Sequence, residues 1–108
     1  MIASAEQADE ERIMRDLDSL LCGAVAWARQ RWPNLQHLER EDLEQSARCI
    51  LLTRIRAYDG NSRAQLWTYA RPRVLGHLQD LARRAARRHR LVMARSADLS
   101  WMHGETDA

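Results

Sequence analysis

Apolar residues recur at intervals of three and four along most of this chain, and two clusters of turn formers interrupt the pattern, Pro33-Asn34 and Asp59-Gly60-Asn61-Ser62. A period near 3.6 places such residues on one face of an α-helix. No stretch carries the sustained alternation of β-branched residues that a half-buried strand needs. Ala, Leu, Arg and Glu dominate, with four Gly, two Pro and no Phe. The expected fold is therefore all-α, a compact three-to-four-helix domain. A chain of 108 residues fits one such domain with a single modest core.

The first helix is expected from Asp9 to Trp32, with Ile13, Leu17, Leu20, Leu21, Ala24, Ala28 and Trp32 as its stripe. Asp9, Glu10 and Glu11 suit the positive end of its dipole, and Arg29 and Arg31 the negative end. Pro33 stops it, because proline disfavours helix at the preceding residue. After a linker over 35–40, a second helix runs from Glu41 to Tyr58 with Leu43, Ala47, Ile50, Leu51, Ile55 and Tyr58 on one face. Ser62 is placed to cap the third, whose stripe reads Leu66, Tyr69 or Ala70, Val74, Leu78, Leu81 and Ala85. Pro72 inside this helix costs about 3 kcal/mol and predicts a kink over 68–72. Gly76 predicts the close approach of a neighbour. Residues 1–8 and 96–108 lack periodicity and are expected to be flexible, leaving 9–95 as the domain.

Net charge is only +2, yet residues 1–20 hold six acids against two Arg, and residues 71–95 hold eight Arg against Asp80 alone. Such polarity suits a protein that docks one partner on one face and a polyanion on another. All seventeen basic residues are Arg. A GC-rich genome explains that, as does selection for the planar guanidinium fork on phosphate. Cys22 and Cys49, 27 residues apart and without CxxC spacing, read as buried, reduced thiols of a cytoplasmic protein. The N-terminus has no signal-peptide pattern, and no apolar run approaches the roughly 20 residues that span a bilayer. The His residues, at 37, 77, 89 and 103, lack metal-ligand spacing. No Gly-rich phosphate loop or ordered triad appears, so no cofactor and no enzyme activity are expected.

Between residues 42 and 84 one ordered set of residues stands out. Asp42, Leu43 and Gln45 come first, then Leu51 and Leu52, then Tyr58 and Asp59. After the Gly-containing turn follow Thr68, Tyr69 and Ala70, then Arg73, Val74, Gly76, Leu78, Asp80, Arg83 and Arg84. This series resembles region 2 of the sigma-70 family of bacterial RNA polymerase sigma factors, most closely the flagellar and sporulation type of alternative factor. Ser46 and Ala47 depart from the family's usual acid and Gly, Leu66 from its Phe, and Pro72 and Arg73 from the tandem Trp of primary factors.

The resemblance implies a bacterial transcription protein that binds the β′ coiled coil of core RNA polymerase and the minus-ten promoter element. Asp42 and Gln45, one turn apart on the exposed side of helix two, with Arg48, would form the polymerase contact; by spacing alone they are a solvated face. Trp67, Thr68, Tyr69 and Arg73 lie where the family captures a flipped base, and stacking on an aromatic is worth about 1–3 kcal/mol. On periodicity Tyr69 is equally a core residue. Arg83, Arg84, Arg87 and Arg88 form two columns that suit phosphate, an acidic protein or plain solvent. His77 and Gln79, one turn below, are the polar groups placed to read base edges. An anti-sigma or other regulatory protein is a further partner of such a domain. Sigma factors carry a second, helix-turn-helix unit for the minus-thirty-five element, so the chain is expected to be either part of a longer factor or a protein that works without that contact. The alternative is a regulator that keeps the fold and acts through protein contacts without opening promoters.

Overall fold

Helix α1 spans Ile2–Arg31, a 3-10 turn Pro33–His37, α2 Arg40–Ala57 and α3 Arg63–Asp107. This is a computed structural model that describes the backbone over residues 2–107 and side chains over 8–97. No strand occurs among the described residues, so the fold is all-helical. Ion pairs give the topology: Glu10 meets Arg56 and Asp18 meets Arg48, so α1 and α2 run antiparallel. Ser46 meets His77 and Arg54 meets Tyr69, so α2 and α3 do likewise.

One core joins all four elements. It contains Leu17, Leu21, Val25 and Ala28 of α1, Leu35 of the turn, Leu43, Ala47, Leu51 and Ile55 of α2, and Leu66, Ala70, Val74, Leu78 and Ala82 of α3. Each fully buried Leu or Val contributes about 1.5–3 kcal/mol. Burial of Leu17, Leu21, Val25 and Ala28 turns Leu20 about 100° away, and Leu20 is exposed despite its place in the expected stripe. Ala70, not Tyr69, is the core residue of that turn of α3.

Two further expectations need correction. Cys22 is half-buried and Cys49 exposed, because Cys49 lies on the side of α2 away from Ala47 and Leu51. Gly76 has no close neighbour: a Cβ built there meets nothing within 4 Å. Gly60 is the crowded glycine, since the Tyr58 ring occupies the space a Cβ would need. The helical backbone of α3 is unbroken at Pro72. Pro72 and Thr68 are both exposed, so the carbonyl that loses its partner to proline faces water, where the loss costs least.

Both outer helices continue past the ends expected for them, α1 upstream to Ile2 and α3 onward to Asp107. Residues 1 and 108, and the side chains of 2–7 and 98–107, lie outside the described residues, and with them most of the segments expected to be flexible. The overhangs give the molecule extents of 73 × 29 × 19 Å. Among the described residues no helix is long and apolar enough to cross a membrane.

Candidate functional site

Helix α2 presents Asp42 and Gln45 to solvent one turn apart, as their spacing requires, with exposed Cys49 one turn further on. Arg48 does not join them. Its Nε donates to Asp18 Oδ1 at 3.0 Å, its Nη2 lies 3.0 Å from the same oxygen, and Nη2 reaches toward Cys22 Sγ at 4.0 Å. The bond to Asp18 raises the Arg48 pKa, so this residue is a strut between α1 and α2 rather than part of the exposed patch. The neighbouring Glu44 carboxylate, partial burial and Asp18 push the Cys22 thiol up to about 11, which keeps it protonated and unreactive at neutral pH.

The acids of α1 turn out to be largely internal partners. Glu10, Asp16 and Asp18 pair with Arg56, Arg63 and Arg48. They hold the middle and end of α2 and the start of α3, so only part of the acidic half of α1 remains for an outside partner.

Tyr69 is 40 % exposed and forms an aromatic platform with residues that spacing did not connect to it. Its ring centroid lies 5.5 Å from that of Tyr58 at an interplanar angle of 33°. The Arg54 guanidinium sits 5.8 Å over the Tyr69 ring, and its Nη1 donates to the Tyr69 hydroxyl at 3.4 Å. Local sequence explains the placement. The segment 58–62 folds back so that Tyr58 lies over Gly60 and its hydroxyl donates to Gln65 Oε1 at 3.4 Å. Ser62 Oγ accepts from the Gln65 backbone N–H at 3.3 Å, the cap expected for α3.

Of the residues expected beside Tyr69, Arg73 stays exposed one turn along the same side. Trp67 does not share the platform: it is half-buried and packs against the core. The Thr68 hydroxyl donates to the Ala64 carbonyl at 3.0 Å. Tyr58 and Arg54 are the members the sequence reading missed. The signal was available in the shortness of the turn, which brings the end of α2 back onto the start of α3.

Arg83, Arg84, Arg87, Arg88, Arg90 and Arg95 are all exposed on α3, and no acid lies between residues 81 and 97. Arg83 makes a loose pair with Asp80 at 3.7 Å. His77 is not free to meet a base, because it is hydrogen-bonded to Ser46 across the α2–α3 interface. Burial, then Arg84 and Arg73, lower its pKa and favour the neutral ring, against Asp80. Gln79 faces another way, lining a groove with Trp32, Pro33, Asn34 and Arg83. The expected pair of base-reading groups is thus split between two sides of the helix. His37 and His89 stack with ring centroids 5.9 Å apart, tying the 3-10 turn to α3.

The described residues include no group of three or more His, Cys, Asp or Glu side chains that could hold a metal ion. What the site offers is a mixed aromatic and guanidinium platform continuous with a cationic helix. No family model matches the chain, nor does any curated protein or solved structure.

Proposed function

We propose that this chain is a sigma region 2-like transcription protein that docks on core RNA polymerase through α2 and holds the minus-ten promoter strand on α3. The observation that carries the reading is the exposed Tyr69, set against Tyr58 and Arg54 and followed by Arg73 and the Arg columns. An aromatic face supported by a cation can stack an unpaired base, while the arginines beyond it neutralise phosphates. Asp42 and Gln45, free of internal partners among the described residues, supply a polar patch for a basic coiled coil. Arg48 contributes by fixing α2 on α1.

Replacing Asp42 and Gln45 by Ala should abolish capture of core polymerase with the helical signal unchanged. Cys49 gives a second readout, since polymerase docked on this patch should protect its exposed thiol from a maleimide. Unchanged capture by the double variant, together with undiminished labelling of Cys49 in the presence of polymerase, would remove the docking assignment.

A specific observation also favours the reading without promoter opening. Trp67 packs against the core, so unpairing of a base would fall to the two tyrosines. Opening costs a few kcal/mol, and one stacking platform supplies about 1–3. Footprinting of unpaired bases on a promoter with polymerase separates the readings: reactive bases place the chain among promoter-opening factors, and their absence with intact polymerase binding places it among regulators.

A further inference from the structure

The two helical overhangs of this molecule carry opposite charge. α1 passes the last turn of α2 where Glu10 meets Arg56, and residues 2–9 continue beyond it. Asp9 and Glu11 stand at the root of this overhang, and both are exposed. α3 leaves the core at Ala82, its last buried residue among those described. From there it carries six Arg and no acid up to residue 97.

The basic overhang also has an apolar side. Leu38, Ala85 and Val92 line a notch of about 260 Å³ together with His37, Arg88 and His89. Ala85, Arg88, His89 and Val92 follow one another at three, four and seven, a single helix face. That face continues the stripe which, lower on α3, is covered by α1 and α2. At Val92 it is 55 % exposed, between Leu91 at 68 % and Met93 at 56 %. Phosphate needs the arginines but has no use for this aliphatic surface, whereas an amphipathic acidic helix can use both.

We infer that the occupant of this face is the acidic α1 overhang of a second copy of the chain, in a closed antiparallel dimer. Reversing one copy beside the other brings each basic end against an acidic end, so a two-fold axis satisfies both contacts at once. The ends of one molecule cannot pair with each other, because they lie at opposite ends of its 73 Å length. The charge pairs are exposed, which makes the dimer salt-sensitive.

The test is sedimentation equilibrium of the full chain at low and high salt. The expected result at low salt is a species of twice the 12.6 kDa chain mass, falling to the monomer as salt rises. Arg84→Glu with Arg88→Glu should give monomer, and so should Asp9→Arg with Glu11→Arg. Combining all four changes in one chain restores opposite charges at both contacts and should restore the dimer, as should mixing the two double variants. Circular dichroism on each variant reports the fold. A monomer at every concentration in low salt would overturn the proposal, as would a dimer indifferent to either charge reversal. A protein that stays monomeric and yet binds acidic peptides or DNA through these arginines would equally overturn it.

Discussion

Helix α3 is one unbroken helix with two different environments. Over its first twenty residues, from Arg63, it buries Leu66, Ala70, Val74, Leu78 and Ala82 against α1 and α2. Beyond Arg83 its described neighbours belong to the segment around the 3-10 turn, among them Trp32, His37 and Leu38, and residues 87–97 are all exposed. Charge follows the same division. The lower half keeps its Arg residues on the outer side, whereas the upper half carries six Arg over one broad side and leaves the face of Ala85 and Val92 apolar. Packing fixes the first part, and the second keeps its charged groups unspent for other molecules.

The sharpest way to break this comparison is to cut a Leu to Ala in each half. Leu78→Ala should cost about 2–5 kcal/mol of unfolding free energy in urea titrations, because Leu78 is fully buried. Leu91→Ala should stay within about 0.5 kcal/mol. Equal losses would mean that the upper half is folded against something in solution.

Glycine gives a second, smaller contrast. Gly76→Ala meets open space and should stabilise the helix by about 0.5–1 kcal/mol. Gly60→Ala must displace the Tyr58 ring and should lower the melting temperature while disturbing the tyrosine pair. Near-ultraviolet circular dichroism together with thermal melting measures both.

A pH effect should belong to the lower half as well. The His77 pKa is lowered from the ordinary 6.5 in the folded state, so in the window between the two values the unfolded chain binds more protons. Stability is then present above about pH 6.5 and declines as pH falls through the folded value. His77→Gln should flatten this slope in melts run between pH 7.5 and 5, conditions chosen to bracket about 6.5.

The fold was legible because its period is strong. The breaks at Pro33 and at Asp59 to Ser62 lie where the helices end, and the Ser62 cap follows from one residue type beside a turn. The site was legible only in part. Exposure of Asp42, Gln45 and the arginines follows from helical spacing, and so does Arg73 standing one turn beyond Tyr69. Tertiary partners are invisible to spacing: Arg48 turns to Asp18, His77 to Ser46 and Trp67 to the core. Tyr69 and Ala70 are both apolar enough for the stripe, and only packing chose between them. Gly76 misled because a glycine that serves nothing has the same sequence signature as one that admits a neighbour.

The proposed function requires that the platform of Tyr69 hold an unpaired base while the arginines above it hold phosphate. Its direct measurement is the affinity of the full chain for an A/T-rich minus-ten single strand and for the matching duplex, by fluorescence anisotropy across a salt series. The single strand should bind more tightly. Tyr69→Ala should lower single-strand affinity by about 1–3 kcal/mol while leaving duplex binding and the melting temperature unchanged. Arg84→Ala with Arg88→Ala should reduce the log-affinity against log-salt slope for both DNAs by about one to two units. Equal affinity for strand and duplex that Tyr69→Ala leaves untouched, or no binding to either DNA at low salt, would contradict the account.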